Sequence, residues 1–146
     1  EELRIVATRV VDPPADASAA GPRVLALAAR RDDAATADRA FRILFDPDAG
    51  CGGATQFVGF IPPGRAPDHF HRYDELICVL EGTGALHIGG ASAPLRAGSC
   101  IRLPAGTVHC VENAGPGLMR VLGVFRPAGS PAAAFYPDGS AAPAPA

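Results

Sequence analysis

Glycine and proline interrupt this sequence so often that it divides into many short segments. The 146 residues include 17 glycines and 15 prolines, whereas aromatic residues make up only 6% and tryptophan is absent. Short segments suit β-strands, because a stable helix needs a longer uninterrupted run of residues. With no long amphipathic helix between the segments, the pattern predicts an all-β sandwich or barrel rather than alternating strands and helices.

Apolar runs bounded by turn residues predict a series of β-strands. They cover residues 3–11, 41–45, 55–61, 75–80, 85–88, 100–103, 109–112 and 118–125. Residues 23–29 fit either a strand or a short helix, and the charged residues 30–40 are expected to form a loop. Residues 137–146, rich in Ala and Pro, are expected to form a loose tail.

These segments divide the chain into three parts. We expect an N-terminal arm with extra strands over 1–40, a β-barrel over 41–128 and a Pro-, Ala- and Gly-rich tail over 129–146. The apolar segments 3–11 and 23–29 are each long enough to add a strand to the sheet edge of a second copy. Pairing of this kind between two copies would form a homodimer.

The charge pattern argues against two classes of partner. The formal net charge is −2 at pH 7, and the basic residues are scattered along the chain. Nucleic acids and anionic membrane surfaces require concentrated positive charge, so we expect neither as a partner. No apolar run has the length needed to cross a bilayer, and no charged-then-apolar leader is visible.

The cysteine pattern favours a reducing compartment. The four cysteines, Cys51, Cys78, Cys100 and Cys110, show no C-x-x-C pairing and no regular framework. A chain of this length has a core of its own, so we expect reduced cysteines and a cytoplasmic location, with a disulfide left open. The chain begins with Glu1 rather than Met, which suggests a processed product or a piece of a longer protein.

Histidine residues are few, and two of them are separated by a single residue. His69 and His71 are followed four residues later by Glu75. Side chains two residues apart in an extended chain point to the same face, so the two imidazoles can converge. Glu75 is also an even number of residues from both histidines, so its side chain can point to that face as well. His109 opens a later strand and would have to join them by closure of the sheet. Imidazoles with a carboxylate suit one divalent transition metal such as Fe, Mn, Zn, Ni or Cu.

Two spacings connect these residues. Gly98, Pro104, Gly106, His109 and Asn113 follow the order G-x5-P-x-G-x2-H-x3-N without a gap. This order resembles the second motif of the cupin superfamily.

The region around the H-x-H pair resembles the first cupin motif. His69, His71, Glu75 and Gly82 fit it, whereas Gly64 lies one residue too close to His69. The departure falls in a Pro/Gly loop and bears on loop shape rather than on the candidate ligands. Both motifs together cover about a third of the chain, with a short connection between them as in small single-domain cupins.

The resemblance implies a double-stranded β-helix, or jelly-roll barrel, with N-terminal extra strands. It also implies one divalent metal on His69, His71, Glu75 and His109 at the bottom of a largely apolar cavity. Cupins include several enzyme classes and non-catalytic binders, so the fold alone does not determine the activity. A small-molecule substrate or ligand and a homodimer are expected by the same analogy.

Three functions are open at this point. The first is a metal-dependent oxidoreductase of dioxygenase type, in which Glu75 is a ligand and a possible proton acceptor. The second is a redox-silent isomerase, epimerase or lyase, which needs an acid–base residue such as His87, Tyr73 or Asp74. Acting on a sugar phosphate would also need Arg or Lys in the cavity, and no candidate is evident. The third is a non-catalytic ligand-binding module acting through a partner or a longer protein.

Overall fold

Strands dominate the part of the chain that the computed structural model describes, residues 21–22 and 24–142. The strands are β1 Asp33–Ala34, β2 Ala40–Phe45, β3 Thr55–Ile61, β4 Asp74–Glu81, β5 Thr83–Ile88, β6 Ala91–Arg96, β7 Cys100–Leu103, β8 His109–Asn113, β9 Met119–Arg126, β10 Ala134–Phe135 and β11 Ala141–Ala142. Helical structure in these residues is limited to two 3₁₀ turns, Leu27–Ala29 and Pro47–Ala49. The all-β prediction is confirmed. No helix among them is long and apolar enough to span a membrane.

The strands form two main sheets with antiparallel pairing throughout. The larger sheet has the order β1-β2-β3-β9-β4-β7, the smaller has the order β6-β5-β8, and β10 and β11 form a separate hairpin. From β4 to β9 the chain passes repeatedly between the two sheets: β4, β7 and β9 lie in the larger one, and β5, β6 and β8 in the smaller. This winding is the predicted double-stranded β-helix, built as two facing sheets.

The main core lies between the two sheets. Its members are aliphatic residues and one methionine: Ile61, Ile77, Val79, Leu95, Ile101, Leu103, Val111, Met119 and Val121. Leu95 and Val111 come from the smaller sheet and the others from the larger sheet. Burial of these side chains is the driving force that holds the sheets face to face.

An aromatic cluster closes the core at the end where β2, β3 and β9 lie side by side. The rings of Phe57 and Phe125 are stacked with centroids 4.8 Å apart, and Phe41 meets Phe57 edge-on at 6.5 Å. Gly123 makes this packing possible, because a Cβ there would lie 2.1 Å from Cζ of Phe57. The absence of a side chain on β9 thus lets the Phe57 ring lie against the strand backbone.

Most predicted strands within the described residues agree with the structure to within two residues, and β6 was missed. β6 contains Pro94 and is almost entirely exposed, so it lacks the alternating apolar pattern that indicates a strand. It is the edge strand of the smaller sheet, where a proline that donates no hydrogen bond is tolerated.

Four other expectations are corrected or fall outside the described residues. Residues 23–29 were ambiguous, and their described part holds a 3₁₀ turn at Leu27–Ala29 and no strand. The charged segment 30–40 contains β1, which pairs with β2. The loose tail expected over 137–146 is ordered in its described part, because β11 pairs with β10. The predicted strand 3–11 lies outside the described residues.

Asn113 joins β8 to two neighbouring segments. Its side-chain nitrogen donates to the carbonyls of Ile61 (2.8 Å) and Gly117 (2.7 Å), and its Oδ1 accepts from the Gly115 N–H (2.9 Å). Asn113 is only 2% exposed. The motif asparagine therefore closes its own turn, as expected, and also holds the end of β3 beside β8.

We predict that Asn113→Ala destabilises the metal-free protein, because it leaves the carbonyls of Ile61 and Gly117 without their donor. Each buried unsatisfied group costs about 1–3 kcal/mol. Urea unfolding monitored by circular dichroism measures the loss. Arg102→Ala on the exposed face of β7 is the control, expected to change stability by less than about 0.5 kcal/mol. Equal stability of the two variants would contradict the role given to Asn113.

Candidate metal centre

The two sheets meet at a backbone bridge between the two motifs. The His69 N–H donates to the His109 carbonyl at 3.0 Å, and the His109 N–H donates back to the His69 carbonyl at 2.8 Å. His69 and His71 lie in the segment before β4, Glu75 lies within β4, and His109 begins β8. The bridge provides the closure that sequence reasoning required to bring His109 to the H-x-H pair.

The three imidazoles converge on one point. One ring nitrogen from each of His69, His71 and His109 lies within 4.8 Å of the others, and all three residues are buried. The ring centroids of His69 and His109 are 4.7 Å apart, and those of His69 and His71 are 5.3 Å apart. The predicted convergence is confirmed, and this cluster has the composition and spacing of a metal site.

Backbone carbonyls orient all three rings. Each Nδ1 lies 2.8–3.1 Å from a carbonyl oxygen. The pairs are His69 with Pro67, His71 with Ala133 and His109 with Thr107. Because a carbonyl only accepts, Nδ1 carries the proton and the Nε2 lone pair is free toward the centre of the cluster. This is the tautomer that binds a metal through Nε2.

Burial keeps the rings neutral. Desolvation lowers the pKa of His69 to about 3, helped by the neighbouring His109, and lowers the pKa of His71 to about 4. The pKa of His109 is also lowered, mainly by burial. Neutral imidazoles keep the lone pair that a metal requires, so the cluster is ready to bind a cation without first losing protons.

Glu75 faces the cluster, and its Oε2 has no hydrogen-bonding partner among the described residues. Its Oε2 lies 3.5 Å from Nε2 of His109 and 3.9 Å from Nε2 of His71, but these nitrogens carry no proton to donate. Oε2 is buried and without a hydrogen bond among the described residues. Burial raises the pKa of Glu75 to about 8, partly opposed by the positive charge of Arg39. A buried carboxylate lacking a donor fits a site where a cation is the missing partner.

The cluster lies at the wall of a cavity of about 60 Å³. Most of the lining is apolar, as the resemblance implied: Ala35, Phe41, Phe57, Ile61, Ile77, Val111, Val121 and Pro131. Apolar walls exclude water from the ligands and strengthen electrostatic interactions inside the cavity. Of the two phenylalanines of β3, Phe57 lines the cavity, whereas Phe60 is covered by the guanidinium of Arg42 at 5.1 Å.

Two polar residues of the cavity were missed from the sequence. Thr36 and Arg39 lie in the turn between β1 and β2 and line the cavity. The sequence offered no evident candidate for a cationic side chain in the cavity, and the structure provides Arg39. A short charged turn has no periodic pattern that reveals its inner face, so no sequence signal marked these residues.

Tyr73 supports the cluster from behind. Its ring stacks on that of His71 with centroids 5.4 Å apart and planes 14° apart. Its hydroxyl donates to the Ser130 carbonyl and accepts from the Ser130 N–H at 3.0 Å. Burial raises the pKa of Tyr73. The hydroxyl contacts the C-terminal segment, and Tyr73 does not line the cavity. Tyr73 therefore positions His71 and is not itself at the candidate metal centre.

His87 is not brought to the cluster. Its Nε2 lies 2.6 Å from Oε2 of Glu112, and neither residue lines the cavity. The adjacent Leu86 packs into the core, and successive side chains of a strand point to opposite faces. His87 therefore lies on the outer face of the smaller sheet, where it offers no acid–base group to the cavity. Asp74 is exposed and accepts a hydrogen bond from the Ala105 N–H at 2.9 Å.

Comparison with known proteins agrees with this fold. Residues 57–125 match the family model described as cupin domain. Similar solved structures include the polyketide cyclase RemF from Streptomyces resistomycificus, which is 21% identical with a TM-score of 0.64, covering 72% of this chain and 79% of that one. A predicted oxalate decarboxylase from Thermotoga maritima is 22% identical with a TM-score of 0.63, covering 70% and 97%.

A third similar structure is the ectoine synthase from P. lautus, 23% identical with a TM-score of 0.62, covering 75% of this chain and 80% of that one. No curated protein matches the sequence significantly. At these identities the solved structures establish the fold alone. The family model identifies a cupin domain over residues 57–125, and the solved structures agree with that fold.

We predict that His109→Ala lowers the bound transition metal at least about tenfold, because the loss of one ligand opens the site to water. Elemental analysis of protein purified without chelators measures this. His87→Ala is the matched control and keeps the wild-type metal content, since its ring pairs with Glu112 on the outer face. Equal metal content in both variants would mean that the ion binds elsewhere.

The raised pKa of Glu75 predicts a pH dependence for the metal-free protein. In the folded protein Glu75 stays protonated up to about pH 8, whereas in the unfolded chain it releases its proton above pH 4.5. The contribution of the protonated Glu75 to the free energy of unfolding is therefore fully present below pH 4.5 and is lost as the pH rises to about 8. Glu75→Gln cannot ionise and lacks this loss.

Urea unfolding in EDTA at several pH values tests this expectation. The free energy of unfolding of the wild type should fall relative to Glu75→Gln between pH 4.5 and 8, by on the order of a few kcal/mol. A saturating divalent metal should reverse the order of stability, because it stabilises only the carboxylate. Parallel pH profiles in EDTA would contradict the burial of an ionisable Glu75.

Proposed function

We propose that this cupin is a metal-dependent enzyme acting on a small organic molecule bound in the cavity. One observation carries the proposal: three oriented Nε2 lone pairs face the buried carboxylate of Glu75, whose Oε2 has no hydrogen-bonding partner among the described residues, at the cavity wall. In this proposal His69, His71, Glu75 and His109 hold one divalent transition metal. The ion would supply a Lewis acid, and one-electron redox chemistry if it is iron.

Other residues of the chain would orient the ligands, limit the entry of water and accept a proton. The carbonyls of Pro67, Ala133 and Thr107 hold the imidazoles in the ligating tautomer. Phe57 and the aliphatic walls limit the entry of water. Glu75 is a ligand, and the bound cation would keep its carboxylate ionised and able to accept a substrate proton.

Within this class we propose oxidation of the dioxygenase type, in which O₂ reacts with a chelating substrate. Support comes from the donor set: three neutral imidazoles and one carboxylate leave positions free on an ion that takes five or six ligands. The acid–base candidates proposed for a redox-silent reaction, His87 and Tyr73, do not line the cavity, which also favours this reading.

A redox-silent lyase or isomerase is the second candidate, favoured by one specific observation. Arg39 lines the cavity and supplies the positive side chain that such chemistry needs for an anionic substrate. In that case the acid–base group would be Glu75, because it is the ionisable side chain facing the imidazoles.

We also propose a cytoplasmic location and a homodimer. The four cysteines are free thiols, as expected for a reducing compartment. Of the two segments expected to add a strand, the described part of 23–29 contains a 3₁₀ turn, and 3–11 lies outside the described residues. A monomeric mass in solution would refute the dimer.

Metal identity and oxygen dependence distinguish the two reactions. We expect the Fe²⁺-loaded protein to consume O₂ with a panel of enols, catechols and thiols, and the Zn²⁺-loaded protein to be inactive, because zinc has no redox chemistry. An oxygen electrode measures the uptake, and His109→Ala is the inactive control. Turnover without oxygen on Zn²⁺ or Mn²⁺ would favour the redox-silent candidate. Ligand binding without any turnover would favour a binding module.

A further inference from the structure

The turn between β1 and β2 places two polar side chains at the cavity. It is closed by the Ala35 N–H, which donates to the Arg39 carbonyl at 2.9 Å. Ala37 has φ of 62°, a left-handed conformation that alanine rarely adopts. Backbone strain of this kind persists where the surrounding structure requires a particular loop shape, and it concentrates at ligand sites. Here the loop shape directs Thr36 and Arg39 to the cavity.

Arg39 is anchored on β8 beside the candidate ligand His109. Its Nη2 donates to the Val111 carbonyl and lies 3.8 Å from Sγ of Cys110. A guanidinium carries five N–H donors in a planar fork, and these contacts use only the Nη2 end. Among the residues that the structure describes, no acceptor binds Nε or Nη1. The guanidinium of Arg39 is thus held in place at the cavity lining, with Nε and Nη1 unpartnered among the described residues and able to bind a ligand.

Thr36 supplies a second polar group without a partner. It is 3% exposed, and its Oγ1 forms no hydrogen bond with any described residue. A buried hydroxyl without a partner is rare in folded proteins, because its desolvation is then uncompensated. Thr36 and Arg39 come from the same turn and line the same cavity, so one ligand can satisfy both.

The charge balance of the cavity determines the sign of that ligand. With neutral imidazoles, a divalent ion and the Glu75 carboxylate leave one net positive charge, and Arg39 adds another. Arg39 is close enough to influence the pKa values of His69, Glu75 and His109. A cavity with apolar walls and this excess of positive charge favours an anion.

The size of the cavity limits the anion. By the volume that one water occupies, about 60 Å³ holds roughly four to six water-sized groups. A space of this size suits a short organic acid better than a nucleotide or a sugar phosphate. A planar carboxylate matches the guanidinium fork, which binds it through two parallel hydrogen bonds.

We propose that the substrate class is a short-chain organic acid whose carboxylate is bound by Arg39 and Thr36 while its other polar group faces the four candidate metal ligands. This inference rests on the proposed function, because it places the acid in the same cavity. Arg39 and Thr36 are then the residues that select for a carboxylate over its neutral analogues.

The test compares charged and neutral ligands of equal size on the Zn²⁺-loaded protein. Calorimetric titration with pyruvate and lactate, and with pyruvamide and lactamide, measures the preference for the carboxylate. We expect Arg39→Gln to weaken binding of the acids at least about tenfold while leaving the amides unchanged, since only the acids pair with the guanidinium. Arg39→Lys should restore part of the affinity, and Thr36→Val should cause a smaller loss than Arg39→Gln.

Arg42→Gln is the matched control. It removes an arginine from β2 that pairs with Asp32 at 2.5 Å and does not line the cavity, so acid binding should remain at the wild-type level. Metal content and thermal midpoint of each variant are measured alongside. Unchanged acid affinity in Arg39→Gln with full metal content would overturn the carboxylate proposal alone, as would failure of the wild type to bind either acid. A wild-type chain that binds no metal would overturn the proposed function and this inference together.

Discussion

Two backbone hydrogen bonds between His69 and His109 govern the geometry of the site, because they join the segment before β4 to the first residue of β8. The two segments belong to different motifs, separated by four strands and three passages between the sheets. Without this contact, His69 and His71 would not be held next to His109. With it, the imidazoles face one another inside the protein, and the apolar core between the sheets supplies the burial that keeps them neutral.

The orientation of the cluster depends on contacts that carry no side-chain signature. Each imidazole is held by a main-chain carbonyl, and Tyr73 adds an aromatic surface behind His71. Hydrogen bonds at Nδ1 select the tautomer, and packing against Phe125 restricts ring rotation. Main-chain support of this kind preorganises the donors before any ion arrives, so the free energy of metal binding is not spent on ordering the ligands.

The sequence predicted the parts of this site that follow from local spacing. Parity along an extended chain indicated His69, His71 and Glu75, and the resemblance of the residues from Gly98 to Asn113 to the second cupin motif added His109. Most strands were found for the same reason, since alternating burial is a local pattern. Thr36 and Arg39 could not be found in this way, because they lie in a short turn whose inner face is determined by packing against β8. His87 has a side chain suited to acid–base chemistry, but it lies on the outer face of the smaller sheet. Its position depends on the register of β5 against β8, which the sequence alone does not give.

The contact between His71 and the carbonyl of Ala133 has a consequence for how such proteins change over evolutionary time. Any residue can present a main-chain oxygen, so selection acting on this segment would preserve its length and path while its side chains drift. In an alignment the region would look dispensable, although one of the three imidazoles takes its orientation from it.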